Sequence, residues 1–479
     1  MEQEDLQILI DELRALPHES EWVEFKQNNK NPQKIGEYVS ALANSACIEN
    51  KEYAYLVYGI KDETHQAVGT TFQPRKEKIN GQEIENWLTT QLEPRIGLTI
   101  FEFKYEEKPM VVFQIEPANN RPIHFRNISY VRIGSYTKKL KDHDDKESKI
   151  WQKAKQVVFE KEYAKRNLSS DQVLELLEYP FVFKLLMLPL PSNKDGILEK
   201  LQEEKLIVKR LKKYHITNLG AILFAADLNY FNDLARKCPR VIIYKGNNKL
   251  HTIKEQVGKF GYAIAFERLV NYVNDQLPSN EEIGRVFREE VNVYPRLAIR
   301  ELIANALIHQ DFSVRGTSIM IEIYNNRIEV TNPGKPLIDT RRFIDHSPES
   351  RNEMLAGLMR RMRICEERGS GIDKVITQVE MFQLPAPDFV AGDNFTRVVL
   401  FSPKSLRQMS KPDKLRAVYQ HCCLKYISGE YMSNQSLRER FDINKKNYSI
   451  ISRLIKEVIE AGVIVEYDNS RMYIPYWGR

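Results

Sequence analysis

The uninterrupted apolar stretches of this chain are short, and this limits its fold more than any other feature of the sequence. The longest runs, such as 53–60, reach about eight residues, whereas a helix that crosses a bilayer needs ~20 apolar residues. Short apolar runs that alternate with amphipathic segments are typical of buried strands connected by helices. We therefore expect α/β domains and no contact with a membrane.

The N-terminal residues and the cysteines predict a cytoplasmic protein. Residues 1–11 are acidic and polar, unlike a signal peptide. The 479 residues include five cysteines, an odd number, and none of them has CxxC spacing. This predicts neither a disulfide framework nor a thiolate zinc site. A reducing cytoplasm fits such cysteine usage.

The positive charge is concentrated at the C-terminal end of the chain. The net charge is +6, yet residues 404–479 contain 14 Lys or Arg and 8 Asp or Glu, so the remaining residues balance. A basic terminal domain is typical of a nucleic-acid-binding module. The alternative is a terminal domain whose charges only keep it solvated.

The order of predicted elements divides the chain into four parts, which gives a multidomain α/β (α+β) fold class. Residues 1–140 form an α/β domain, with a short strand at 67–72 and a strand at 130–133 that closes its sheet. Residues 141–222 form a helical connector and a small helical, winged-helix-like module. Residues 223–403 form a second α/β domain, in which Asn325-Asn326 predicts a type I′ hairpin turn. Residues 404–479 form a winged helix.

Three carboxylates and a lysine make the first candidate site. Glu24 and Lys26 point to the same face of a predicted strand, Glu19 precedes that strand, and Asp62 follows the apolar strand at 53–60. Mg²⁺ and Mn²⁺ prefer such oxygen ligands, and these ions can align water for phosphodiester cleavage. The alternative is a set of surface acids beside an edge strand.

A basic and aromatic strip follows in the same domain. Arg121, Arg126 and Arg132 alternate with aromatic side chains. Such a strip can hold phosphates and stack bases, which favours a nucleic-acid contact. The alternative is an ordinary hairpin with exposed arginines.

The first 140 residues resemble the AlbA-2 domain that is shared with Schlafen proteins. The matching motifs are Glu19-Ser20 with Glu24-Phe25-Lys26, Ser40-Ala41-Leu42-Ala43-Asn44, and Gly59-Ile60-Lys61-Asp62. The resemblance implies a metal-dependent RNase, in which Glu19, Glu24 and Asp62 bind the metal and Lys26 assists. Other AlbA-2 domains are described as DNA-binding, so that function remains open.

A second candidate site lies in the domain at 223–403. Glu301 and Asn305 are spaced one turn apart on a predicted helix, Gly334 would allow close approach of the backbone to a ligand, and Gly371 opens a helix. A carboxylate can activate water and a carboxamide can bind Mg²⁺. The chain has no P-loop motif. Taken singly, these residues are also typical of a solvated helix face and of ordinary turns.

The order of these motifs resembles the GHKL ATPases. The matching residues are Glu301, Asn305, Ala306, His309, Asp311, Asn332, Pro333, Gly334, Arg351, Asn352, Glu367, Gly369 and Gly371. The resemblance implies that Glu301 is the general base, that Asn305 binds Mg²⁺, and that 335–366 is the ATP lid. It also implies that Gly369 and Gly371 lie beside the phosphates and Thr396 near adenine. An Asn-Pro-Gly turn replaces the usual Asp, which leaves open whether ATP is hydrolysed or only sensed.

The predicted winged helix contains the third candidate site. Lys445 and Lys446 open its recognition helix, Arg453 continues the polar face, and Arg471 lies in the wing. Basic side chains at a helix N-terminus suit contacts to phosphates and the major groove. Winged helices also mediate protein contacts, and that alternative stays open.

Together these features predict an ATP-regulated, metal-dependent nuclease that acts on RNA, with tRNA as one candidate substrate. Its expected ligands are Mg²⁺ or Mn²⁺, ATP and nucleic acid, with RNA favoured over DNA, and we expect a homo-oligomer. A nuclease controlled by a nucleotide suits stress response or phage defence by analogy. The alternative is an ATP-responsive, DNA-binding transcriptional regulator without nuclease activity.

Overall fold

A computed structural model describes residues 3–16, 20–62, 64–79, 81–119, 121–154, 158–210, 212–283, 288–347, 349–365, 371–468 and 470–478. The chain divides into two compact units, Met1–Val158 and Phe159–Arg479. It is a mixed α/β protein, as the sequence predicts. The finer division into four parts stays a prediction.

The first unit contains two four-stranded sheets and four described helices. Its helices are α1 (Gln3–Arg14), α2 (Pro32–Ile48), α3 (Ile84–Gln91) and α4 (Asp144–Ala154). Its strands are β1 (Val23–Lys26), β2 (Ala54–Tyr58), β3 (Lys78–Ile79), β4 (Gln82–Glu83), β5 (Leu92–Glu93), β6 (Leu98–Tyr105), β7 (Lys108–Ile115), β8 (His124–Phe125), β9 (Ile128–Ile133) and β10 (Tyr136–Lys139). One sheet has the order β1-β2-β7-β6 and the other β10-β9-β8-β5.

Helix α2 connects to the second sheet through its polar residues. Asn31 caps its first turn, as a residue before Pro at N1 can. The Asn44 amide donates to the carbonyls of Ile123 and Tyr130 at 3.0 and 2.8 Å. Ser45 Oγ accepts from the N–H of Arg132 at 2.9 Å. The Ser-Ala-Leu-Ala-Asn motif is therefore a structural contact between a helix and a sheet.

Two expectations for this unit differ from the structure, and one of its helices has no counterpart among the predicted elements. The strand predicted at 67–72 is reduced to a bridge between Ile60 and Ala67, because the N–H of Gly69 turns back to the carbonyl of Gly59. The strand predicted at 130–133 does not close the first sheet, since α2 holds it in the second. The sequence analysis did not predict α1, whose apolar residues at 6, 9, 10 and 13 are buried.

The second unit is built around a six-stranded sheet. Its helices are α5 (Ser170–Leu176), α6 (Tyr179–Leu186), α7 (Lys194–Glu203), α8 (Asn218–Phe224), α9 (Tyr262–Asp275), α10 (Arg296–His309), α11 (Glu353–Arg361), α12 (Gly371–Met381), α13 (Lys411–Ile427), α14 (Asn434–Arg440) and α15 (Tyr448–Glu460). Its strands are β11 (Tyr163–Leu168), β12 (Ile207–Arg210), β13 (Lys213–Thr217), β14 (Arg240–Tyr244), β15 (Thr252–Val257), β16 (Ser279–Ile283), β17 (Arg288–Asn292), β18 (Met320–Ile323), β19 (Arg327–Pro333), β20 (Asp388–Ala391), β21 (Phe395–Phe401), β22 (Ile464–Tyr467) and β23 (Met472–Pro475).

The large sheet has the order β15-β14-β18-β19-β21-β20. Alternate residues of β18 and β19, such as Ile321 and Val330, belong to the same buried cluster as Ile299 and Ile303 of α10. This alternation follows from the period of two along a strand, and it places α10 against one face of the sheet. The turn at Asn325-Asn326 closes a hairpin, but neither residue has a positive φ, so the predicted type I′ turn is wrong.

The last 69 residues contain three helices followed by a hairpin, in the order that the sequence predicts. Ser410 and Ser433 cap α13 and α14 with capping boxes. The helices share a buried cluster with Ile344 and Ile376, and the Tyr419 hydroxyl donates to the Arg341 carbonyl at 2.7 Å. The segment is therefore continuous with the second unit, and its assignment as a winged helix stays a prediction.

His215, in the three-stranded sheet β11-β13-β12, should make the stability of the protein depend on pH. His215 is 6% exposed, stacks on Tyr163 at 4.8 Å, and its Nδ1 faces the N–H of Asn167 at 3.4 Å. Burial, with smaller contributions from Arg166 and Arg210, lowers its pKa to about 4. The neutral ring stabilises the fold above pH ~6.5, and this stability is lost as pH falls toward 4.

Because the unfolded state binds a proton at His215 more tightly than the folded state does, the free energy of unfolding should fall by about 2–3 kcal/mol from pH 7 to pH 4.5. Urea unfolding with pulse proteolysis at both pH values measures it. His215→Phe keeps a ring against Tyr163 but cannot titrate, so its unfolding free energy should fall less. An equal fall in both proteins would contradict the prediction.

Among the helices of the described residues, none is long and apolar enough to cross a membrane.

Candidate functional site

The first candidate site lies where β1 and β2 end. The two strands are parallel, with Lys26 opposite Tyr58, so the residues after them meet at one edge of the sheet. Lys26 Nζ lies 2.7 Å from Glu24 Oε1 and 2.7 Å from Asp62 Oδ2. The structure therefore brings three of the four predicted residues together, with the ammonium between two carboxylates.

Glu24 also contacts a second cation, Arg132. Glu24 is 2% and Arg132 1% exposed, and Arg132 Nη1 pairs with Glu24 Oε2. Burial raises the pKa of Glu24, although Arg132 and Lys26 oppose that rise. Burial disfavours the charged form of Lys26, but Glu24 and Asp62 outweigh it and raise the pKa of Lys26 above its usual range. Two carboxylates and two cations thus balance within the domain.

Glu24 and Asp62 are placed so that both could bind one cation. The two carboxylate oxygens converge on one point, which the Lys26 ammonium occupies at 2.7 Å from each. Within the part of the chain that the structure describes, no three His, Cys, Asp or Glu side chains form a metal-binding group. Glu19, the third predicted ligand, lies outside the described residues.

The three arginines of the predicted strip have different positions. Arg121 and Arg126 are exposed, and Arg126 lies 5.2 Å from the Trp87 ring. Arg126 and Asn127 both have positive φ in the β8–β9 turn, which is the geometry of a type I′ turn. Arg132 differs from its prediction as a surface contact, because it is buried and paired with Glu24.

The second candidate site is a cleft of about 610 Å³, a volume suited to a nucleotide. Glu301 and Asn305 of α10 face its wall at Gly371. A Cβ atom placed on Gly371 would lie 3.0 Å from Glu301 Oε2 and 3.5 Å from Asn305 Nδ2. The carboxylate, the carboxamide and the first residue of α12 therefore meet at one end of the cleft. Glu301 is 4% exposed.

The turn after β19 forms a second wall of the cleft. Gly334 has φ +99°, and a Cβ atom there would lie 2.5 Å from the Asp311 Cβ. This close approach requires glycine. Arg351 Nε lies 3.8 Å from Asp311 Oδ2, and Arg351 Nη1 donates to the His309 carbonyl at 3.4 Å. Asp311, His309 and Arg351 are thus brought together, with Arg351 holding the turn to the end of α10.

The remaining predicted residues lie along the sheet side of the cleft. Asn332 and Thr396 are buried cross-strand neighbours on β19 and β21. The Thr396 hydroxyl donates to the Gly334 carbonyl at 2.9 Å, so it supports the turn. Glu367 and Gly369 lie outside the described residues.

The sequence motifs do not mark several residues that line the cleft, and they do not indicate what Asn352 contacts. Lys335, Glu353 and Arg360 also line the cleft, but no motif marks them. Asn352, noted only as part of a motif, donates to the carbonyls of Ile308 and Gln310 at 2.7 and 2.8 Å. This bond fixes the start of α11 against the end of α10. The motif already contains Asn352, but its partners lie 44 and 42 positions earlier in the chain, where no local pattern predicts them.

The basic residues of the C-terminal segment are exposed. Lys445 and Lys446 lie in the short turn that precedes α15, and Arg453 lies on the exposed side of α15. Arg471 follows the loop of the β22–β23 hairpin, and its N–H donates to Glu466 at 2.9 Å. These four cations are therefore accessible to a polyanion.

Comparisons with known proteins identify domains in both units. The family described as "Schlafen, AlbA_2" matches residues 19–141. The family described as "Putative ATP-dependent DNA helicase recG C-terminal" matches residues 316–400, a range that begins after Glu301 and Asn305. No curated protein matches the chain.

Two solved structures have low similarity to the chain. The DIP2311 protein from Corynebacterium diphtheriae is 14% identical, with 98% of this chain and 97% of that chain covered and a TM-score of 0.42. The N-terminal domain of a RecG-related protein from Nitrosomonas europaea, titled a putative ATP-dependent DNA helicase, is 21% identical. It covers 27% of this chain and 89% of its own, with a TM-score of 0.20.

The domain assignment thus rests on the two family matches. Each agrees with a resemblance that the sequence motifs predict, an AlbA-2 domain first and an ATPase-like domain later. The pair indicates a nucleic-acid-related protein with an ATP-binding type of domain. Residues 19–141 thus match the Schlafen AlbA_2 family, and residues 316–400 match the RecG C-terminal family of ATPase-like domains.

Proposed function

We propose that this protein is an ATP-controlled nuclease that acts on RNA. The observation that carries the proposal is the convergence of Glu24 Oε1 and Asp62 Oδ2 on one cation position, 2.7 Å from each. Two carboxylates that converge in this way, in a domain that matches the Schlafen AlbA_2 family, are suited to hold the divalent ion that metal-assisted phosphodiester cleavage uses.

In this proposal the N-terminal residues have distinct roles. Glu24 and Asp62, with Glu19, hold Mg²⁺ or Mn²⁺ in place of the Lys26 ammonium. A bound ion of this kind activates water and stabilises the leaving oxygen. Lys26, once displaced, neutralises charge on the substrate phosphate. Arg132 stays on the second oxygen of Glu24 and fixes its orientation. Exposed Arg121 and Arg126 contact the nucleic-acid backbone.

The cleft of the second unit binds ATP in this proposal. Asn305 supplies a carboxamide oxygen to Mg²⁺, and Glu301 acts on a water as general base. Gly371, with Gly369, brings backbone N–H groups to the phosphates. Asn332 and Thr396 lie toward the base. Support comes from the convergence of Glu301 and Asn305 on Gly371 and from the ATPase-like family match.

A second candidate function is an ATP-responsive regulator that binds DNA without cutting it. The observation that favours it is charge balance, since Lys26 and Arg132 already neutralise Glu24 and Asp62. Exposed Lys445, Lys446, Arg453 and Arg471 then contact DNA from a winged helix. In this function the carboxylates only stabilise the fold.

The test compares Asp62→Asn with a matched control. Asp62 is 48% exposed, so its loss should not unfold the domain. Glu77 is similarly exposed at 44% and forms a single surface pair with Lys30, which makes Glu77→Gln the control. Labelled tRNA, single-stranded RNA and duplex DNA are incubated with Mn²⁺ or Mg²⁺, with and without ATP.

We expect wild type and Glu77→Gln to cleave RNA, and Asp62→Asn to cleave it at least about 10-fold more slowly, since loss of a group that only orients a metal ligand already costs about 10–100-fold. Equal cleavage by all three proteins would place the activity elsewhere. If no substrate is cut while all three retain DNA equally, the regulator is the better description.

A further inference from the structure

The cations that line the nucleotide cleft differ in their partners. Arg351 lies 3.8 Å from Asp311, and Lys335 lies 3.7 Å from Asp393. Arg360 lines the same cleft, yet it forms no ion pair with any residue that the structure describes. An exposed guanidinium without an acidic partner is available to an anionic ligand.

Helix α11 fixes the direction of Arg360. It lies in the last turn of the helix, beside Arg361, but the two side chains point to different surroundings. Arg361 binds both carboxylate oxygens of Glu204, at 2.5 and 2.8 Å, outside the residues that line the cleft. Arg360 faces the cleft. Of these two adjacent arginines, Arg361 is therefore paired with Glu204, whereas Arg360 lines the cleft.

The start of α11 is held by a buried acid. Glu160 is 3% exposed and accepts from the N–H of Leu355 at 2.5 Å. A carboxylate at a helix N-terminus satisfies N–H groups that have no intrahelical partner. Contacts at both ends of this short helix therefore fix the backbone position of Arg360.

The end of α11 that carries Arg360 lies beside the part of α10 that carries Glu301, because the Arg300 guanidinium donates to the Arg363 carbonyl at 3.2 Å. The Cys365 thiol, which also lines the cleft, has a pKa raised to about 11 by burial, with Arg360 lowering it and Glu301 raising it. Asn305 and Gly371 meet Glu301 at this end, and Arg360 lines the same cleft.

We propose that Arg360 binds the terminal phosphate of a nucleoside triphosphate and so makes the cleft prefer triphosphate over diphosphate. The inference rests on the proposed nucleotide-binding function. The buried Glu301 carboxylate repels a polyphosphate, and a cation in the same cleft offsets that repulsion. The planar guanidinium can donate two parallel hydrogen bonds to one phosphate group.

The test measures the dissociation constants of ATP and ADP, each with Mg²⁺, by calorimetry on the full chain. Arg360→Gln removes the charge, and Arg361→Gln is the control on the neighbouring residue. A charge-assisted hydrogen bond contributes enough to predict about 10–100-fold weaker ATP binding by Arg360→Gln. Its ADP binding should stay within about threefold of wild type, and Arg361→Gln should change neither.

Three other results would overturn the inference, each in a distinguishable way. If Arg360→Gln binds ATP as wild type does, Arg360 does not contact the ligand. If it loses ATP and ADP equally, its contact is not with the terminal phosphate. If wild type binds neither nucleotide, the proposed function of the cleft fails, and the inference fails with it.

Discussion

Replacing Glu24 with alanine should destabilise the first unit by about 3–5 kcal/mol, the cost of breaking a buried ion pair by removing one partner. Arg132 is 1% exposed, and its guanidinium would remain inside the domain without the Glu24 carboxylate. Lys26 would lose one of its two carboxylate contacts. Hydrogen exchange of the full chain in urea measures this loss. Peptides from Met1–Val158 should lose protection at lower urea concentrations in Glu24→Ala than in wild type.

The control is Glu21→Ala in the same unit. Glu21 pairs with Lys146 at 2.6 Å, but both side chains are partly exposed, at 24% and 16%. Pairs near the surface contribute ~0–1 kcal/mol. A Glu24→Ala cost as small as that of Glu21→Ala would contradict the buried pair. The double variant Glu24→Leu with Arg132→Met should recover most of the loss, because it removes both charges together.

Because Glu24 is needed for stability, Glu24→Ala is a poor variant for testing nuclease activity. Loss of cleavage in Glu24→Ala would follow from unfolding as readily as from loss of a metal ligand. Asp62 is half exposed and contacts the same ammonium, so its replacement separates the two effects. The stability and cleavage measurements therefore answer different questions about one cluster.

Local sequence patterns predicted much of the fold. The apolar spacing of α2, the Pro at its first turn and the cap at Ser433 all predict elements that the structure contains. Such signals act within a few residues of each other. The order of motifs likewise predicted both domain families.

Contacts between distant residues could not be predicted in the same way. The alternation of basic and aromatic neighbours predicts that Arg132 is exposed, yet Arg132 pairs with Glu24, 108 positions earlier. Its burial depends on α2, whose Ser45 binds the Arg132 backbone. The type I′ turn predicted at Asn325-Asn326 is wrong for a related reason. The backbone of the flanking strands, and not the residue pair alone, sets the turn type.

Replacing Asn305 with alanine should weaken Mg²⁺-dependent ATP binding by about 10–100-fold, the range for loss of a contact that positions a metal. Asn305 faces Gly371 beside Glu301, where a carboxamide oxygen can reach a metal bound to phosphates. Calorimetry with Mg²⁺ and with EDTA measures the effect. The variant should bind equally in both, whereas wild type should bind more tightly with Mg²⁺.

The controls separate a metal contact from a general loss of structure. Asn271→Ala makes the same change on α9, where Asn271 bonds to Arg296 and does not line the cleft, and its affinity should equal that of wild type. Glu301→Gln should bind ATP at least as tightly as wild type but lose hydrolysis, because it removes a charge that repels the phosphates together with the base that activates water. If Asn305→Ala keeps a Mg²⁺-dependent affinity, the ion is held by other groups. If Glu301→Gln binds normally and wild type does not hydrolyse ATP, the cleft senses ATP without consuming it.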